Sequence, residues 1–401
     1  MNIILDPEQL SWGQAYANNC EPTKLLERLA KYPHIPTREA NSFEGVPLPE
    51  AIIFEEEGTT DLGTLRCLPN EVVDMIVNKL DVPSAISLSY VNRTANVFVQ
   101  NSSFSFLRRW TPGLPKILEE TQIHKNWSIC ELKDAIRRET CMSCGDPAVQ
   151  LFLPTMERIC HACTHDNTAY WCLPIEQAGL IFALDLPDII DFRTIYLSRL
   201  SLNGQGFGDL GAWVVPVKAV LARALEVYGS RKAIKRAAED NSSSSDEDAD
   251  ADVEEGIPNN DEFVVENQND IYRAASLTIN TSPRYSPDLP DSLEPQSYRH
   301  DVVCWAPVVP HGNTRTPLQM CRGCTAMLTH PRIRDISDSH MKMMGLDPEI
   351  DALERGYQIY RRTFRMRSET EMIQHVRTEC LGGWILLYAE CLNEGLPWSW
   401  E

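Results

Sequence analysis

Two close pairs of cysteines constrain this chain more than any other feature. Cys141-Met-Ser-Cys144-Gly145 and Cys160-His-Ala-Cys163 are separated by fifteen residues, the spacing of a four-thiolate zinc site. Zinc takes four soft, deprotonated donors in a tetrahedron, and a two-residue turn aims two sulfurs at one metal. Gly145 lets the backbone turn tightly behind the second sulfur. Between the pairs, Val149, Leu151 and Leu153 alternate as a strand does, and Pro154-Thr155 suits a turn, so a zinc-ribbon-like hairpin is expected. Four thiolates leave no open position on the metal, which assigns Zn2+ here to folding rather than catalysis. His161 and His165 are spare donors, with His161 expected to be exposed.

A further pair, Cys321-Arg-Gly-Cys324, is separated by sixteen residues from Cys304 upstream. Cys304, Cys321 and Cys324 offer three sulfurs for a second zinc, with the fourth ligand open among His300, His311, His330 and Cys172. A dithiol redox motif would need a strand before Cys321 and a helix after it, a context the pattern does not suggest. A RING domain is disfavoured, because eight ligands at interleaved spacing are not present. The thirteen cysteines are odd in number, and Cys-x-x-Cys pairs in a reducing compartment point to metal rather than disulfides. No apolar run reaches the eighteen residues of a membrane span. Met1 to Leu10 lacks the pattern of a secretory signal. Cytoplasm and/or nucleus is the expected location.

Residues 65–98 carry the second strong signal. Leu65-Arg-Cys-Leu68-Pro69-Asn70-Glu71-Val72-Val73 leads through Ile76, Val77 and Leu80 to Asp81-Val82-Pro83-Ser84, then Leu88, Val91, Asn92 and Arg93. Pro69 suits a helix start, where a missing N–H costs nothing. Val72, Val73, Ile76, Val77 and Leu80 make an apolar stripe at helical spacing. Asp81 can cap a second helix that has Pro83 in its first turn. Leu-Pro-x-Glu, then Ile, Leu, Asp-x-Pro-Ser and Leu-x-x-Val-Asn-Arg resembles the F-box in order and spacing. With the Cys pairs downstream, the chain is also loosely similar to fungal F-box proteins. The resemblance implies a small helical module that docks on the Skp adaptor, and through it on a cullin. Leu68, Pro69, Glu71, Val72, Ile76, Leu80, Pro83, Leu88 and Val91 would then contact the adaptor or support the residues that do. Thr94-Ala95-Asn96 stand where F-boxes often carry a Trp.

The expected class is mainly α with small zinc-stabilised β hairpins, in several units. Residues 1–62 read as a partly ordered arm and 63–105 as a three-helix F-box. Residues 106–236 read as a helical region with the four-cysteine site, including helices over Leu132 to Glu139 and Val215 to Ala238, the latter bent or interrupted at Gly229. Residues 237–300 read as a disordered acidic linker: from Glu239 to Glu262 there are eleven acidic residues and no basic one, and such a composition cannot offset its ordering entropy. Residues 301–401 close the chain with the last Cys pair and helices at about 349–379 and 382–394. The 401 residues are 43% hydrophobic and carry a net charge of −20. That charge disfavours nonspecific binding to nucleic acid or membranes.

No nucleotide loop, nucleophile elbow, kinase signature or His-Glu-x-x-His occurs. Gly204-Gln-Gly206-Phe-Gly208 reads as a loop, and most tryptophans as core. The F-box resemblance implies a non-catalytic receptor that recruits an unnamed protein target to an SCF-type ubiquitin ligase. The alternative is a zinc-ribbon protein of nucleic acid or chromatin whose helical hairpin merely packs.

Overall fold

The computed structural model describes residues 7–31, 38–39, 62–190, 194–197, 212–243, 302–309, 318–328, 337–350 and 352–393. The expected acidic linker falls outside the described residues from 244 onward. Its first residues, 237–243, instead end the helix Arg231–Ser243.

The helices of the F-box-like segment are set by local chemistry. Asn70–Lys79 follows Pro69. The Asp81 side chain accepts the Ser84 N–H at 2.7 Å and opens Val82–Ser89, with Pro83 in the first turn. Such a cap is worth about 1 kcal/mol. Asn92 caps Arg93–Asn101 in the same way, accepting from Ala95 N–H. A fourth helix, Ser103–Trp110, extends the expected three. Leu114–Glu120 and Ile129–Arg137 follow, the latter opened by a reciprocal Ser128–Glu131 capping box.

These helices do not close on themselves. Val73, Val77, Phe104, Leu107, Ile117 and Ile136 share one core with Leu151, Phe152 and Ile159 of the cysteine-bearing hairpin. The hairpin pairs Gln150–Phe152 with Glu157–Ile159, placing Gln150 opposite Ile159. A third strand, Val303–Trp305, comes from beyond the acidic tract and lies antiparallel to Gln150–Phe152, with Cys304 opposite Leu151. Arg38–Glu39 pairs on its far side.

Arg158 holds this junction together. It is fully buried, and its guanidinium donates to the carbonyls of Ala135, Ile136, Ala306 and Pro307 at 2.6–3.2 Å. Two of these carbonyls end the Ile129–Arg137 helix, where a cation suits the dipole. Burial pushes the Arg158 pKa down to about 9, so it remains charged at neutral pH.

A second core forms around Cys172–Pro174, Ile195–Leu197 and Ala212–Pro216, an antiparallel sheet with Ala212–Pro216 in the middle. Helices Ile175–Phe182 and Val217–Tyr228 cover it. The helix expected over Val215 to Ala238 is thus a strand, a helix and a second helix. Gly229, at φ +74°, ends Val217–Tyr228 in the left-handed conformation that glycine tolerates best.

The third core joins the two ends of the chain. Helices Pro7–Asn19 and Pro22–Leu29 lie in the segment expected as an arm, yet they bury Leu10, Tyr16, Leu25 and Leu29 against the C-terminal helices. Those helices are Arg322–Leu328, Asp338–Met343, Ala352–Phe364, Glu369–Thr378 and Leu381–Asn393. Gly13 permits the contact: a methyl group there would stand 2.1 Å from the Trp384 carbonyl oxygen. Trp384 is itself core, its indole N–H donating to Val376 O at 2.6 Å. No helix among the described residues is long and apolar enough to cross a membrane.

Candidate metal centres and docking face

The first centre is built from the hairpin. Gly145, at φ +79°, returns its N–H to Cys141 O at 2.9 Å, closing the first turn. Met142 N–H donates to Arg158 O at 2.8 Å and seats that turn on the second strand. Cys160 ends the strand and caps the short helix His161–Asp166, its sulfur 3.4 Å from Cys163 N. The sulfurs of Cys141, Cys144, Cys160 and Cys163 all lie within 4.8 Å of one another, with Cys144 and Cys160 at 3.6 Å. A zinc–sulfur tetrahedron has an edge of roughly 3.8 Å, so the four donors fit such an ion. Hydrogen bonds from Cys144, Cys160 and Cys163 hold the Cys141 pKa far below that of an ordinary thiol. The cluster therefore favours a thiolate even before a cation arrives.

A second group, only half of it foreseen, has a different ligand set from that expected. Cys321 and Cys324 are joined by His375 and Cys380, all four buried and with ligand atoms within 4.8 Å of one another. Cys321 Sγ lies 3.4 Å from Cys380 Sγ, and Cys324 Sγ lies 3.1 Å from His375 Nε2. Cys304 is not among them: its strand pairing with Leu151 buries it in the first core. Cys172 lies in another strand, again as a buried thiol. His300, His311 and His330 lie outside the described residues. Burial lowers the His375 pKa and favours the neutral imidazole that a metal requires. Its other nitrogen, Nδ1, lies 3.8 Å from Glu379 Oε2, a carboxylate placed to orient the ring.

Nothing short-range in the sequence marks His375 and Cys380 as partners of cysteines 51 and 59 residues away. Glycines make the convergence feasible: a methyl on Gly323 would stand 2.2 Å from Gly383 N and 2.8 Å from Cys380 Sγ. With no side chain there, Arg322–Leu328 and Leu381–Asn393 approach closely enough to share the cluster.

The helix Ala352–Phe364 touches both centres. Phe364 packs on His161 with the rings tilted by 43° and centroids 4.3 Å apart, and Arg361 reaches Asp146, two residues beyond Cys144, at 3.4 Å. Elsewhere on the helix, Thr363 Oγ1 donates to Cys324 O at 3.0 Å, and Arg362 pairs with Glu379. His161, expected to be exposed, is buried by the Phe364 and Tyr360 rings.

The apolar stripe of Asn70–Lys79 is divided. Val73 and Val77 are buried, while Val72 and Ile76 are 37% and 39% exposed and Met75 beside them is 69% exposed. Of the residues expected at the adaptor, Pro69, Glu71, Val72, Ile76 and Val91 face solvent. Leu68, Leu80 and Leu88 pack half-buried on the core behind them, and Pro83 is half-buried. Met75 and Tyr90 add exposed apolar area not expected from the pattern. In the place of the frequent Trp, Asn96 is buried, its amide donating to Ser89 O at 3.3 Å.

No curated protein and no solved structure matches the chain. Residues 65–107, the helices that carry the divided stripe, match the F-box domain family, so the chain contains an F-box domain.

Proposed function

We propose that the protein is a substrate-recruiting subunit of an SCF-type cullin–RING ubiquitin ligase, acting in the cytoplasm and/or nucleus. F-box domains generally bind the Skp adaptor and so join the cullin complex. The single observation supporting this role here is the exposed half of the Asn70–Lys79 stripe. Val72, Met75 and Ile76 stay in water although the same helix already has a complete core on its Val73–Val77 side. Contiguous exposed apolar surface of this kind marks a protein-binding face. The receptor performs no chemistry: it holds a target near the ligase and raises the effective concentration of the reacting partners.

Both cysteine-rich groups hold Zn2+ in this reading. Four thiolates, or three thiolates and an imidazole, match zinc's preference for soft donors in a tetrahedron. The ion supplies a fixed crosslink, and this chain's turns, glycines and the Glu379 carboxylate orient its ligands. Recovery of the adaptor and cullin by the wild-type chain, and their loss with Leu68→Ala/Pro69→Ala, tests the role. A wild-type chain that recovers neither protein would remove it.

A further inference from the structure

Between the two cysteine-rich groups lies an open cleft of about 740 Å³. It is lined by Cys144 and Asp146 from beside the first group, by His375 and Glu379 from the second, and by the arginines of one short run. Arg361, Arg362, Arg365 and Arg367 fall within seven residues of a chain whose net charge is −20. Their guanidinium groups are not equally committed. Arg362 is tied to Glu379 and to Met344 O, and Arg367 is buried against the carbonyls of Arg365 and Arg362. Arg361 and Arg365 share one carboxylate, Asp146, at 3.4 and 3.8 Å. Charge-assisted hydrogen bonds normally close to 2.7–2.9 Å, so this carboxylate is held loosely. Arg365 is also the most accessible, with 49% of its side chain exposed.

We propose that this cleft binds an acidic segment of the recruited protein, with Arg365 as the anchoring cation. The inference rests on the recruiting role and names the chemistry of the target. Guanidinium groups present paired N–H donors that match the oxygens of a carboxylate or phosphate. Gln374 and Thr378 on the rim add neutral hydrogen-bonding groups suited to a peptide backbone. The cleft also contains Glu371 and Glu379. These would repel the continuous phosphate backbone of a nucleic acid but leave room for one or two anionic groups. A short peptide is therefore favoured over an oligonucleotide.

The test uses the full-length, metal-loaded chain and four fluorescent probes. Three are decapeptides of one sequence carrying phosphoserine, aspartate or lysine at two central positions; the fourth is oligothymidylate. Binding is read by anisotropy at low and high salt. The phosphoserine peptide is expected to bind and to weaken as salt rises. Binding of the aspartate peptide as well would identify the carboxylate as sufficient, and its absence would identify phosphate as the group recognised. Arg365→Glu should weaken binding at least tenfold with zinc content and adaptor recovery unchanged. No binding of either anionic peptide, or equal binding of the lysine peptide or oligothymidylate, overturns the proposal. So does loss of zinc from Arg365→Ala, which would mean that the arginine only offsets thiolate charge. Adaptor recovery without peptide binding would remove the cleft and leave the recruiting role, and the reverse result would do the opposite.

Discussion

His161 and Phe364 lie ring to ring, 4.3 Å between centroids, and this contact connects two cysteine-rich groups far apart in the chain. His161 follows Cys160 directly, while Phe364 is adjacent to Thr363, whose hydroxyl holds the Cys324 carbonyl. Because Phe364 is partly buried, Phe364→Ala is expected to cost about 1–3 kcal/mol. It should also speed zinc transfer from the first centre to a chromogenic chelator. Unchanged urea midpoints and release rates would dismiss the contact as incidental.

The ligand assignment of the second centre is checked by metal counting. Wild type should carry two zinc ions per chain. Cys380→Ser and His375→Ala should each lower that to about one, because three remaining donors hold the ion far less tightly. Cys304→Ser should keep both ions. Retention of both by Cys380→Ser, measured by mass spectrometry of the metal, would return the fourth ligand to the undescribed histidines.

Neighbouring residues on one F-box helix should behave oppositely. Ile76→Glu alters an exposed position and should reduce adaptor recovery at least tenfold with little change in melting temperature. Val77→Glu buries an unpaired carboxylate in the first core, a cost of several kcal/mol. It should broaden or abolish the thermal transition. Loss of adaptor binding by Val77→Glu alone would assign the exposed stripe no docking role.

Arg158→Met should destabilise the chain by about 3–5 kcal/mol in equilibrium urea unfolding. It strips the donor from four buried carbonyls on two segments. Arg158→Lys should recover part of the loss, since one ammonium cannot span all four acceptors. Equal stability of the methionine variant would mean that those carbonyls find other partners.

Gly13→Ala tests the joining of the chain ends. Alanine favours a helix by about 1 kcal/mol over glycine, yet here its methyl would collide with the Trp384 backbone. Overpacking against backbone costs about 1–3 kcal/mol, so a net loss of stability is expected. A gain would mean that Pro7–Asn19 does not pack there.

The sequence alone was sufficient where the determining interactions are local. Asp81 caps a helix through the residue three positions on. The spacing of Cys141, Cys144, Cys160 and Cys163 spans a single hairpin, and its turn residues carry the geometry. The F-box pattern is legible for the same reason: its caps and helical stripe lie within one short stretch.

Tertiary structure decided whatever depends on segments that meet only on folding. Cys304 and Cys321 look alike as sulfur donors, but a strand pairing removes the first and a glycine-mediated helix approach completes the group around the second. His161 becomes buried because an aromatic helix from the far end of the chain covers it. The apolar stripe of Asn70–Lys79 reads as one face, yet only packing against the helices Arg93–Asn101 and Ile129–Arg137 divides it into a buried half and an exposed one. Local pattern assigns a side chain its character; which neighbours remove it from water depends on contacts between distant segments, and those carry no periodic signature in the sequence.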